Sequence, residues 1–283
     1  MDFPGGAGLK LSKEEDFEIE VRLLLEAIFQ KFNHDFRKYA FSSVKRRVAH
    51  ALQQMEFPTV SNLQENLFHD PKCFGRLLQY LTIATSEMFR DPEYYVALRT
   101  KVFPLLHTYP SLKVWVAGCS TGEELYSLAI CLKEEGLLER TILYATDINP
   151  VSLKRAEEGI FSLEDIQKYS ESYELAGGKS LLSDYYTAAY DYVAFDKDLI
   201  RSVVFADHSL ATDHVFSETH LISCRNVLIY FNAELQDRAL SLFYESLCHG
   251  GFLGLGSKES LQFSKYANCF EIVDRTAKVF QKQ

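Results

Sequence analysis

The stretch KVWVAGCSTGEELYSLAI, residues 113–130, sets a short apolar run directly against a glycine-bearing turn and the start of an amphipathic helix. Residues 114–117 are compact, apolar and β-prone, whereas Leu125, Leu128, Ala129 and Leu132 recur at helical spacing. Between the halves, Gly118 and Gly122 bracket Cys119, Ser120 and Thr121. A strand, a glycine turn and a helix N-terminus in immediate succession belong to open α/β folds, which seat ligands beyond the carboxyl ends of their strands. This feature constrains the remainder, which has to supply further strands and helices to cover them.

It does so. A second strand at 142–146 leads into a helix in VSLKRAEEGIF, and further strands are expected at 203–206 and 220–223. The helix in AELQDRALSLFYESLCHGG is stopped by Gly250 and Gly251 and gives way to the strand FLGLG. Two β-prone runs, CFEIVD and KVFQK, close an antiparallel hairpin across residues 275–277. The alternation predicts an α/β class with a mostly parallel sheet covered on both faces. A terminal antiparallel hairpin is unusual in nicotinamide-binding folds and usual in S-adenosylmethionine (SAM) methyltransferases.

Ahead of this lies a helical region with no convincing strand. DFEIEVRLLLEAIFQKF, FSSVKRRVAHALQQM, TVSNLQENLFHD and CFGRLLQYLTI make four short helices, the second with Ser42 or Ser43 as its N-cap. A small all-α domain is therefore expected over 1–88, and the Rossmann-like sheet over 89–283. The tyrosine-rich, β-prone segment at 180–202 fits neither pattern and reads as a small antiparallel β insertion.

Composition removes several functions. A net charge of −9 over 283 residues opposes a general affinity for nucleic acid or anionic lipid. The six cysteines form no C-x-x-C pair, which suits reduced thiols and argues against a zinc site. No apolar run reaches the ~18 residues of a membrane span, and MDFPGGAGLKLSKEEDFE lacks signal-peptide order. A cytoplasmic protein is expected.

Four places carry candidate chemistry. In the first turn, Gly118 lets backbone approach a ligand. However, neither G-x-G-x-x-G nor G-K-[ST] is present, and Glu123 and Glu124 would repel a pyrophosphate. Two carboxylates suit a ligand with a cationic amine and hydroxyls; alternatively, Thr121 and Glu124 form a capping box and Glu123 complements the helix dipole. Asp147 ends the second strand, where it can accept from ribose hydroxyls or cap the next helix. Arg225 and Asn226 follow the fourth strand, Asn226 facing an adenine or an amine and Arg225 a buried ion-pair partner. Tyr230, four residues on, can face the same way. In TSEMFRDPEYY, Arg90 could orient a carboxylate or pair with Asp91 or Glu93.

TSEMFRDP, AGCSTGEELYSLA, ATDINPVSLKRAEEGIF and CRNVLIYFN, in that order and after YAFSSVKRRV, resemble the CheR-type methyltransferases of bacterial chemotaxis over nearly the whole chain. The resemblance implies a SAM-dependent protein-glutamate O-methyltransferase acting on receptor cytoplasmic domains. It implies that Glu123 and Asp147 hold the amino-acid and ribose portions of SAM. Ser86 and Arg90 would sit by its methyl end, with Ala84 giving a backbone contact. Ser209 and Leu210 would line the adenine, Cys224, Arg225 and Asn226 would close the pocket, and Tyr230 would face the reacting carboxylate. The insertion matches a β-subdomain that some members use to dock a receptor tether. Arg37, Lys38, Lys45, Arg46 and Arg47 form a basic patch expected to meet an acidic helical substrate. Leu125, Ser209, Ala84 and Met88 depart from the usual family residues without removing a group that the chemistry needs. A methyltransferase with another substrate, and a SAM-binding sensor without turnover, are the competing readings.

Overall fold

The computed structural model describes residues 12–83, 85–262 and 264–283, so Ala84 lies outside the described residues. The chain divides into two compact units after Leu81. The first holds α1 (Lys13–Phe32), α2 (Phe41–Gln54), α3 (Val60–His69) and α4 (Cys73–Leu81). α1 opens on a capping box in which Ser12 Oγ accepts from Glu15 N–H and Glu15 accepts from Ser12 N–H. α2 starts earlier than its serines suggest, with Ala40 as N-cap and no side-chain cap. Leu24, Ile28, Val48, Leu63 and Leu77, spread over the four helices, are fully buried.

The second unit begins with α5 (Pro92–Ala97), a π-turn at Leu98–Val102 and α6 (Phe103–Leu106). The expected boundary at 88 falls too late, because the side chains of Met88 and Phe89 are fully buried in this unit's core. β1 (Leu112–Ala117), α7 (Glu123–Glu134), β2 (Thr141–Asp147) and α8 (Pro150–Glu158) follow as the alternation predicts. β3 (Ile160–Ser162) begins inside the run VSLKRAEEGIF expected as helix, because α8 ends at Glu158 on left-handed Gly159 (φ 64°), and α9 (Leu163–Leu175) occupies ground the sequence left unassigned. After them come β4 (Tyr186–Ala189), β5 (Tyr192–Phe195), β6 (Val203–Asp207), β7 (Thr219–Cys224), α10 (Ala233–Ser246), β8 (Leu247–Leu255), β9 (Phe270–Asp274) and β10 (Val279–Lys282). α10 stops at Ser246 rather than at the glycines, since Leu247 turns into the strand (φ −86°, ψ 136°).

Among the described residues the main sheet has seven strands in the order β6-β2-β1-β7-β8-β10-β9. β6, β2, β1, β7 and β8 pair in parallel, and β10 runs antiparallel to both of its neighbours. β1 is buried along nearly its whole length, as a strand covered on both faces should be. The strand order reverses between β1 and β7, the switch point at which open α/β sheets bind ligands. The insertion is a three-stranded antiparallel sheet, β3-β5-β4, larger than 180–202 because β3 joins it. No helix among the described residues is long and apolar enough to cross a membrane.

Candidate active site

At the carboxyl end of β1 the chain turns sharply. Gly118 N–H and Cys119 N–H both donate to the Thr146 carbonyl of β2, at 2.8 and 2.9 Å. Gly118 (φ 75°) and Gly122 (φ 103°) adopt left-handed backbone, and side chains there would strike Val227 Cγ2 at 2.6 Å and Ala156 Cα at 2.9 Å. Packing inside the protein therefore demands both glycines. Ser120, also left-handed (φ 51°), donates its N–H to Asp147 Oδ2 at 2.9 Å. Asp147 Oδ1 accepts from Asn149 N–H, and Asn149 rather than Asp147 caps α8. Burial pushes the Asp147 carboxyl above its usual range, those two N–H groups oppose this, and Asp207, its register partner on β6, adds to it.

Glu123 is buried in the first turn of α7, with Thr121 Oγ1 at 2.7 and 2.9 Å from its two oxygens. Burial raises its pKa, against the Thr121 and Ser86 hydroxyls that hydrogen-bond to it. The expected capping box is absent: Gly122 is the N-cap without a side-chain bond, and Thr121 serves Glu123. Glu124 instead accepts from Ser223 Oγ at 2.6 Å and stands 3.5 Å from Arg225 Nη1. Ser223 Oγ is 2.7 Å from Tyr94 Oη, so the network reaches α5.

The 86–91 segment is fastened to this frame at several points. Ser86 meets Glu123, and Phe89 N–H donates to Ser127 Oγ, which donates to the Glu123 carbonyl. Arg225 Nη2 donates to the Arg90 carbonyl and to Asp91 Oδ2, each at 2.8 Å. Phe89 and Asp91 are both left-handed (φ 52°), so Arg90 is presented by a backbone that the surroundings hold in place. Asp91 therefore pairs with Arg225 and not with Arg90.

Cys224 is fully buried, and the Arg225 side chain is 1% exposed, its guanidinium 4.3 Å from the Tyr94 ring centroid. Burial lowers the Arg225 pKa, and the Glu124 and Asp91 carboxylates more than restore it, so the guanidinium stays charged. Burial holds the Cys119 and Cys224 thiols protonated, which removes them as nucleophiles. Asn226 is half-buried and left-handed (φ 61°), and Tyr230, also half-buried, closes the 3₁₀ turn Leu228–Tyr230. Beyond β6, Ser209 and Leu210 are buried in a turn in which Ser209 N–H donates to Asp213 Oδ2 and Ser209 Oγ accepts from Ala211 N–H.

The basic patch of the helical unit is largely neutralised. Arg37 bonds Asp35 and Glu26, and Lys45 bonds Glu18 and Glu14. Arg47 is buried, donating to the Leu81 carbonyl, which corrects its expected place on the surface. Arg46 is exposed. Sequence reading missed Ser223 and Tyr94, neither of which shows a local signal.

These residues suit SAM. Buried Glu123 and half-buried Asp147, both with raised pKa values, stand ready for an ammonium and for hydroxyls, and the buried Ser120 Oγ of the same turn has no hydrogen-bond partner. Sheet order, switch-point turn and acidic donor set together define a SAM-dependent methyltransferase. Residues 84–279 match the CheR methyltransferase SAM-binding domain and residues 19–82 the CheR methyltransferase all-alpha domain, and the chain belongs to the CheR methyltransferase family. It is 60% identical over 272 residues to a protein of Pseudomonas putida provisionally named methyltransferase Cher3, covering 96% of this chain and 100% of that one. It is 31% identical over 248 residues to the chemotaxis protein methyltransferase of Listeria monocytogenes, covering 87% and 92%. Among solved structures, the N-methyltransferase NodS from Bradyrhizobium japonicum with S-adenosyl-L-homocysteine is 14% identical, with a TM-score of 0.34, covering 60% of this chain and 62% of that one. The chain spans little more than half of some solved structures it matches, 56% of a Methanococcus maripaludis methyltransferase.

SAM supplies, when bound, a methyl group on a sulfonium open to in-line displacement. Glu123 and Asp147 would hold it, and both have to be ionised to do so. Because their pKa values are raised in the free protein, SAM affinity is expected to fall as pH drops through them, at higher pH than ordinary carboxylates would cause. Proton release on binding, read by calorimetry in buffers of different ionisation enthalpy, should grow over that range and shrink in Glu123→Gln. By the same sign, each carboxyl favours the folded free protein when protonated, and this contribution is lost as pH rises through its raised pKa.

Proposed function

We propose that this chain transfers the methyl group of SAM to glutamate side-chain carboxylates of methyl-accepting chemoreceptors, forming methyl esters in chemotactic adaptation. The observation that carries the reading is the clamped 86–91 segment, which presents Arg90 from the same frame that holds Glu123. Relatives named chemotaxis protein methyltransferases support the substrate class. A glutamate carboxylate is already ionised at neutral pH and needs no general base from the protein. What it needs is orientation and removal of water, effects worth up to ~7–11 kcal/mol in a near-attack arrangement. Arg90 supplies a planar donor pair for that carboxylate, and Tyr230 a hydroxyl.

The acceptor would be the cytoplasmic domain of a membrane receptor, which places the enzyme in the cytoplasm. On the helical unit, Arg46 remains as an exposed cation for an acidic receptor helix. In the insertion, β4 is an edge strand with three exposed residues, and Tyr190 and Tyr192 beside it are 96% and 59% exposed. An extended receptor tether could add there as a further strand.

Methyl transfer from labelled SAM to membranes of the source cell tests the reading. Alkali-labile label on membrane receptors is the expected result, as carboxyl methyl esters hydrolyse in mild base. Label that survives alkali, or lands on soluble material, would assign a different substrate. SAM binding without any transfer would make the chain a sensor.

A further inference from the structure

Glu259 stands on the loop after β8, outside every motif considered so far, and is only 4% exposed. Its Oε2 accepts from Gly256 N–H at 2.6 Å and from Asn226 N–H at 3.1 Å. Its Oε1 lies 3.4 Å from Ile229 N, and Leu228 N–H also bonds to the carboxylate. Three of these four amides belong to the 226–230 loop that carries Tyr230. Gly256 closes the arrangement, since a Cβ there would lie 2.8 Å from Asn226 N and 2.9 Å from Asn226 Nδ2 and Glu259 Oε2.

An anion gathering successive main-chain N–H groups usually arrives as a ligand at a helix terminus or a backbone nest. Here the chain supplies it. A buried carboxylate is costly unless its lone pairs are filled, and four amides fill them. A glutamine of nearly the same shape would offer one acceptor oxygen and turn an NH₂ group towards the same N–H donors. Simple packing would tolerate that exchange; restraint of the loop would not.

We propose that Glu259 is a positioning residue for methyl transfer, fixing Tyr230 beyond the carboxyl end of β7 by binding the amides of its loop. The inference rests on the reading of Tyr230 as facing the reacting carboxylate. It predicts a loss confined to turnover. In full-length Glu259→Gln, methyl transfer from labelled SAM to receptor-bearing membranes should fall about 100-fold in kcat. The Kd for SAM, by calorimetry, should stay within about 3-fold of wild type, about 0.7 kcal/mol. Hydrogen exchange of the Asn226, Leu228 and Ile229 amides should accelerate.

Tyr230→Phe and the double variant separate the two readings. If Glu259 acts through Tyr230, adding Glu259→Gln to Tyr230→Phe should cost no more than about 3-fold further. Wild-type kcat in Glu259→Gln with Tyr230→Phe impaired overturns the proposal alone, as do losses that multiply in the double variant. Equal losses of SAM affinity and kcat in Glu259→Gln, marking a general structural role, also overturn it. Wild-type kcat in Tyr230→Phe removes the reading of Tyr230 and the assignment built on it. Should Glu259→Gln fail to fold, Gly256→Ala presses on the same Asn226 amide from the other side, and the same split between kcat and Kd is expected.

Discussion

Arg225→Ala is expected to destabilise the methyltransferase unit by about 3–5 kcal/mol, the usual cost of breaking a buried ion pair from one side. The guanidinium is almost wholly enclosed, between the Asp91 and Glu124 carboxylates and over the Tyr94 ring. Alanine would leave the half-buried Glu124 facing a cavity and free the Arg90 carbonyl from its donor. Urea unfolding followed by tryptophan fluorescence reads this directly, because Trp115 of β1 is fully buried in the same unit. Arg225→Lys keeps the charge but cannot span Asp91, the Arg90 carbonyl and Glu124 at once, so it should recover only part of the loss. Were Arg225 a wall of the cofactor pocket, the reverse would be measured: near wild-type stability with weakened SAM binding.

Arg90→Ala should leave the fold intact and lower kcat by about 100-fold or more, with the Kd for SAM within about 3-fold of wild type. The separation follows from the way the segment is held. Its anchors are the Phe89 amide, the Arg90 carbonyl, the Asp91 carboxylate and the Ser86 hydroxyl, none of which belongs to the Arg90 side chain. Removing that side chain therefore deletes the group proposed to meet the substrate without loosening the segment that carries it. Single-turnover transfer beside calorimetric SAM titration checks the split. Parallel losses in both would make Arg90 a cofactor ligand.

The sequence disclosed what depends on local pattern. β1 and α7 were legible almost residue for residue, because an apolar run and a helical stripe meet at a glycine turn. The terminal hairpin was legible from β-prone runs either side of residues 275–277. α9 was obscured because its buried side chains, Ile166, Tyr169 and Tyr173, include two tyrosines that read as β-prone. β3 is three residues long, too short to show alternation. In the candidate site, the places of Asp147 at the end of β2 and of Glu123 at the start of α7 were legible, because strand and helix limits follow from local pattern. The role of Arg225 was not: Asp91 lies 134 residues away in sequence, and nothing local announces the pair. Likewise, Lys45 looks free in sequence until the fold sets Glu18, 27 residues earlier, at 2.7 Å. Pairings that only the tertiary structure creates turned an apparent basic face into an almost neutral one.

β10 lies in the sheet between β8 and β9 although it follows both in the chain. During vectorial synthesis β9 emerges from the ribosome before any strand beside which it belongs, and β8 waits with one edge bare. The sheet is thus sealed by insertion of a late strand between two earlier ones, a high-contact-order step that comes after the switch-point turn and its carboxylates can already have formed. Until then the nascent chain carries a cofactor cradle on an unsealed sheet with an edge open to wrong partners.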